Sequence, residues 1–284
     1  MSRTHRLIKG ACAATAALAA VAAGPAHAGP FGLGKKPAAA PAVAAAPAVK
    51  AQPSAAPGAT AEQRALIGRQ PPLMRAAFWA QEAGRDPADA DAGVQLSAAL
   101  RGMGKTDEAI RAAESVLALK PDHVDALLEV ARSHIARGQA FHAIAPVKQA
   151  QRLAPRDWRP ASLLGVAYEG VDRAAEARAA WEAALALSPE NPGVLANLAL
   201  SWAAAGDLPK AEALLRRAAV RADAGAKVRQ NLALVLGLQG KTAEAERLIR
   251  DDLPPEQAAS NLAWLRDATG SAAGRSWNAV KGGS

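Results

Sequence analysis

One cysteine, one tyrosine and three phenylalanines stand in a chain of 284 residues. Aromatics amount to 4% although apolar residues reach 50%, and most of the apolar content is alanine. Such a chain cannot fill a thick core with large side chains. It can pack helices closely, because alanine has the highest helix propensity and lets helix axes approach. The lone thiol, Cys12, precedes the alanine-rich run of the N-terminus. If that segment is removed on export, disulfides, thiolate catalysis and cysteine-held metal are excluded from the rest. Catalytic patterns are missing too: no HExxH, no GxSxG, no GxxxxGK[ST], and no GxGxxG after a strand. The remaining histidines, His123, His134 and His142, have no metal-ligand spacing. No enzyme, cofactor or metal is expected. Basic residues are never interleaved with aromatics in a run, so no nucleic-acid surface is expected either.

The N-terminus reads as a secretory leader. Arg3, Arg6 and Lys9 precede an uncharged stretch, Ala11–Ala23, and Ala26-His27-Ala28 supplies the small residues of a cleavage site. Residues 1–28 are therefore expected to be a signal peptide. Cys12 has Lys9 three residues ahead and its apolar run behind, so lipidation there is not expected. The stretch is too short to span a bilayer comfortably, and no later segment qualifies, so no integral span is expected in the mature chain. Removing the three leader cations lowers the formal charge from +8 to +5. That excess suits acidic partners, anionic lipid or nucleic acid, but an ordinary arginine-rich solvated surface is the expected reading. Residues 29–60 are rich in Ala and Pro, as in Lys36-Pro37-Ala38-Ala39-Ala40-Pro41. Prolines this frequent forbid a continuous helix, and a disordered linker of polyproline character is expected.

Downstream, one period governs the chain. Gly104, Gly138, Gly206 and Gly240 fall on a 34-residue grid whose missing member is Asp172. Ala109, Ala143, Ala177, Ala211 and Ala245 form an unbroken second row, and Pro87, Pro121, Pro155 and Pro189 a third. Glycine closes the turn after a first helix through a left-handed conformation. Alanine begins a second helix where two axes come closest, and proline stops that helix. The rows resemble the tetratricopeptide repeat (TPR). The resemblance is fullest where Leu164-Gly165 and Tyr168 precede Ala177, Trp181, Ala184 and Pro189. It implies an all-α, right-handed solenoid of stacked helical hairpins: five repeats over 90–257, an irregular helical unit over 61–89, a capping helix over 258–267 and a flexible tail over 268–284.

Members of this repeat class bind partners along the concave face made by the first helices. The sixth residue of each first helix is Gln95, Glu129, Leu163, Asn197 or Asn231. A carboxamide there offers both donor and acceptor to the backbone of an extended ligand. Asn197 and Asn231, with neighbouring Gln230, are the candidate peptide contacts; bonding between repeats is an equal reading of the two asparagines. Arg132, Arg159 and Lys227 are the candidate contacts for an acidic partner, against ordinary solvation. The full carboxylate clamp of chaperone-binding TPR proteins is not present.

The run Val228–Gly240, then Ala243-Glu244-Ala245-Glu246, Asp252-Leu253-Pro254-Pro255 and Asn261-Leu262-Ala263-Trp264, resembles the TadD family of tight-adherence (Flp/Tad) pilus assembly. That resemblance implies a periplasmic assembly factor at the outer membrane, with pilus secretion components, including the secretin, as partners. A general envelope adaptor, for polysaccharide export or cytochrome maturation, is the other reading.

Overall fold

A computed structural model describes residues 58–252, 254–260 and 262–263. The leader, Cys12, the Ala/Pro segment up to residue 57 and the tail lie outside the described residues. Every regular element among those described is a helix, and consecutive helices pair into hairpins. They are α1 (Ala61–Ile67) with α2 (Pro72–Arg85), α3 (Ala90–Gly102) with α4 (Thr106–Leu119), and α5 (Val124–Ala136) with α6 (Ala140–Leu153). Then come α7 (Trp158–Gly170) with α8 (Ala174–Leu187), α9 (Pro192–Ala205) with α10 (Leu208–Ala219), and α11 (Ala226–Leu238) with α12 (Thr242–Asp252). Each hairpin packs on the next, giving the right-handed α-solenoid that the repeat implies.

The three rows act as backbone and packing chemistry requires. Gly104, Gly138, Gly206 and Gly240 have φ between +76° and +96°. Asp172 takes the same left-handed conformation at φ +62°, the sole non-glycine among the described residues to do so. After each of the five, the next backbone N–H reaches back to the helix, as Lys105 to the carbonyl of Leu100 and Arg173 to that of Tyr168. The five alanines of the second row are all wholly buried. A fourth row emerges at the start of the first helices. Asp89, His123, Asp157 and Asn191 each accept a hydrogen bond from a backbone N–H of the turn that follows. Gly225 holds the fifth place without a side chain.

The core is a ribbon running through the hairpins. Leu195, Leu215, Leu232, Val235 and Leu236 form one stretch of it, and Val147, Leu164, Trp181 and Leu198 another. Trp181 lies over Gly165 and donates its indole N–H to the carbonyl of Ser162 at 3.1 Å. A Cβ on Gly165 would come within 2.4 Å of the indole nitrogen, so only glycine fits beneath the ring. Past α12, Ala258 and Leu262 are buried against the last hairpin.

The first hairpin is more regular than its sequence suggests. Helix α2 begins and ends 34 residues before α4, and Trp79 occupies the place that Trp181 holds three repeats later. Its partner α1 is short and has no buried residue. A capping box between Thr60 and Gln63 starts it.

Candidate binding groove

On each first helix the less buried residues recur as one stripe. On α3 it is Asp91, Gln95, Ala98 and Arg101; on α5, Asp125, Arg132 and Ile135; on α7, Arg159, Leu163 and Val166. On α9 it is Gly193, Asn197 and Leu200, and on α11 Lys227, Asn231 and Leu234. Spacings of three, four or, across the buried Glu129 of α5, seven residues keep each set on one helix face, and the first helices stack, so the stripes form a continuous groove.

Along the first part of the groove the charges are already satisfied. Glu129, only 3% exposed, takes Arg132 at 2.6 Å and Arg101 at 3.1 Å. Arg159 bridges Asp125 of the preceding repeat at 2.7 Å and its own capping residue Asp157 at 2.6 Å. Burial alone would push the Asp157 carboxyl up; the hydrogen bonds from Arg159 outweigh it and hold it below the ordinary carboxylate range. Arg132 and Arg159, two of the three cations expected to meet an acidic partner, are thus already ion-paired within the chain.

The second part is different. Leu163, Val166, Leu200 and Leu234 are half-buried and uncharged. Asn197 and Asn231 stand among them, also half-buried, and neither side chain bonds to any described residue. The inter-repeat hydrogen bond that would have made them structural is not made among the described residues. Gln230 is half-buried and Lys227 exposed, likewise with no partner among the described residues. Behind this stretch, Trp202 has Lys210 at 3.5 Å and Arg178 at 4.6 Å from its ring centre.

A separate cation escaped the sequence reading. Arg75 of α2 lines a cavity of about 430 Å³ between the first hairpin and α3. Nearby, Arg64 of α1 bonds Asp89 at 2.6 Å and Glu82 at 3.0 Å and lies over Trp79. The Glu82 carboxyl is held below its ordinary value, first by the N–H of Ala59, against the opposing effect of burial, and then by Arg64 and Arg85. Among the described residues no three His, Cys, Asp or Glu side chains converge as a metal site, and no helix is long and apolar enough to cross a membrane.

A tetratricopeptide-repeat family model matches residues 100–167. Among solved structures, the chain is similar to TTC0263, a thermophilic TPR protein of Thermus thermophilus, at 21% identity and a TM-score of 0.56. That match covers 62% of this chain and 94% of the other. It is also similar to a chain of the APC/C hetero-tetramer Cut9-Hcn1, at 18% identity and a TM-score of 0.62, over 72% of this chain and 40% of that one. No curated protein sequence matches the chain. Repeat, turn geometry and these likenesses together define a tetratricopeptide-repeat α-solenoid.

Proposed function

We infer that the protein is a non-enzymatic scaffold that holds an extended segment of another protein in its groove. The observation that carries this reading is a pair of carboxamides, Asn197 and Asn231, that bond to no described residue. They sit one repeat apart on the same face of successive first helices, between half-buried leucines. An extended peptide presents just the alternating carbonyls and N–H groups that such amides can take, while the leucines receive apolar side chains. The leader motif and the TadD-like C-terminal run extend the reading. They support an exported, periplasmic assembly factor for a Flp/Tad-type pilus, with pilus secretion components such as the secretin as its clients.

The test is a double substitution, Asn197→Ala with Asn231→Ala, combined with photocrosslinking from Leu200 in the native envelope. Crosslinks to the partner should fall about tenfold or more, since two amide pairs are lost, while the melting temperature stays within about 2 °C because no hydrogen bond among the described residues is broken. A parallel loss of stability would make the asparagines structural. For the pilus assignment, a deletion strain should make pilin but display no surface pili; normal piliation would remove that assignment and leave the scaffold reading standing.

A further inference from the structure

Helix α2 keeps the 34-residue register and departs from the repeat at one packing position. Thirty-four residues before Ala109, in the row of wholly buried alanines, stands Arg75. An arginine cannot occupy the space an alanine leaves between two close helices. Accordingly α1 stands off from α2 with none of its residues buried, and the cavity of about 430 Å³ lies in the gap. Trp79, Arg64, Arg75, Asp91 and Gln95 line it. Asp91 and Gln95 belong to the groove stripe of α3, so the cavity is the groove's end.

The charges around it do not close on one another. Arg64 is committed to Asp89 and Glu82, and Asp91 approaches Arg64 at 3.7 Å. Arg75 and Gln95 bond to no described residue. A free guanidinium and a free carboxamide beside an indole wall are donors awaiting an acceptor. A carboxylate suits the planar fork of arginine, and the amide beside it suits a peptide carbonyl. The volume falls in the range of ligand pockets, about 300–1,000 Å³, and exceeds what a bare ion fills. Because Asp91 and Gln95 line both the cavity and the groove, a chain lying in the groove can dip a side chain in and continue. The geometry points to a docking pocket for an acidic side chain, Asp or Glu, carried by the segment that lies in the groove. The pocket rests on the groove reading and moves its acidic contact from Arg132 and Arg159 to Arg75.

The probe is Ala-Glu-Ala with its N-terminus acetylated and its C-terminus amidated, titrated into the full chain. The Trp79 indole N–H, assigned by its loss in Trp79→Phe, reports binding by NMR. This peptide should shift the resonance saturably, and the blocked Ala-Gln-Ala peptide should bind about tenfold or more weakly. Arg75→Ala should abolish the shift. Because it restores the residue of the other five repeats, its melting temperature should equal or exceed the parent's; Arg75→Gln serves if it does not fold. Equal binding of the two peptides, or an undiminished shift in both Arg75 variants, would overturn the pocket. Binding only by Ala-Gln-Ala with a free C-terminal carboxylate would assign the site to chain termini and overturn it as well. Asn197→Ala with Asn231→Ala should leave this titration unchanged. The pocket can thus fail while those asparagines still govern crosslinking, and the groove reading can fail while the tripeptide still binds.

Discussion

Gly165→Ala is a substitution on which repeat logic and packing disagree. The equivalent residues of other repeats are Ser97, Ala131, Ala199 and Ala233, so alanine looks like the repeat's own preference. It should also gain about 1 kcal/mol from helix propensity. Opposing this, the new methyl would meet three indole atoms of Trp181 at 2.4, 2.6 and 2.7 Å. Overpacking of this kind costs about 1–3 kcal/mol. If the ring moves to relieve it, the 3.1 Å bond from Trp181 to the Ser162 carbonyl is lost, and a buried orphaned N–H costs about 1–3 kcal/mol more. The net expectation is a loss of about 2 kcal/mol, or about 4–8 °C in Tm for a chain of this size. Urea titration followed by circular dichroism and by tryptophan fluorescence measures it. The partner test is Trp181→Leu, because Ala131 is accompanied by Val147 in the same core stretch and Ala199 by Leu215 in the neighbouring one. Gly165→Ala should be tolerated in the Trp181→Leu background, with a coupling of about 1 kcal/mol or more. A Gly165→Ala protein as stable as the parent, or additive losses in the double variant, would refute the argument that the glycine exists for the indole.

Two further perturbations probe the polar lattice. Glu212, buried, receives Lys241 at 2.6 Å, Gln239 at 2.8 Å and Arg216. Its carboxyl is drawn from 4.5 to about 2, chiefly by Lys241 and against the effect of burial. A depressed carboxyl stabilises the fold above its unfolded value, and that contribution disappears as pH falls from about 4.5 toward 2. The urea midpoint of the parent should therefore drop more steeply over that window than that of Glu212→Gln; parallel curves would show that the network carries no linkage. Glu129→Ala leaves Arg101 and Arg132 facing one another half-buried, and should lower stability by about 1–3 kcal/mol. Glu129→Ala with Arg132→Ala should recover part of that loss, as thermal melts of the pair would show.

The rows that could be read from the sequence are those where backbone conformation or steric contact admits one residue type. Left-handed φ selected Gly104, Gly138, Gly206 and Gly240, and close helix approach selected the alanines. The cap row stayed hidden because Asp89, His123, Asp157 and Asn191 supply one function with three residue types. Only an acceptor atom at the right height unites them. Arg159 looked free because its partner Asp125 lies a full repeat earlier in the chain, adjacent only once the hairpins stack. Glu129 and Arg132 are three residues apart on one helix, so their pairing is legible in the sequence. The first hairpin looked irregular because Gln70 stands in the glycine row and Arg75 in the alanine row. Both substitutions fall where the two helices of a repeat should meet, which is why α1 stands off and why the cavity is there.

The division of the groove follows from the same lattice. In the repeats from α3 to α7, each groove charge has an opposite charge on its own or a neighbouring helix. A partner's charge arriving there must compete with ion pairs already at 2.6–3.1 Å. Breaking one to form another gains little, because the abandoned group is left half-buried and unpaired. A charged segment therefore has little to gain by binding along that stretch. Among the described residues, groove groups without partners stand at its two ends: the guanidinium of Arg75 and the amide of Gln95 at one, and the amides of Asn197, Gln230 and Asn231 with the exposed Lys227 at the other. On the proposed reading, a segment bridging both ends meets chemistry of two kinds. At Arg75 the attraction is between full charges and weakens as salt shortens the Debye length below about 10 Å. At the asparagines it is neutral hydrogen bonding backed by apolar contact, which salt leaves nearly intact. On the proposed reading, strength and register are thereby separable: the apolar, amide-bearing end supplies hold that salt leaves in place, and Arg75 sets where along its length the partner segment must carry its acid.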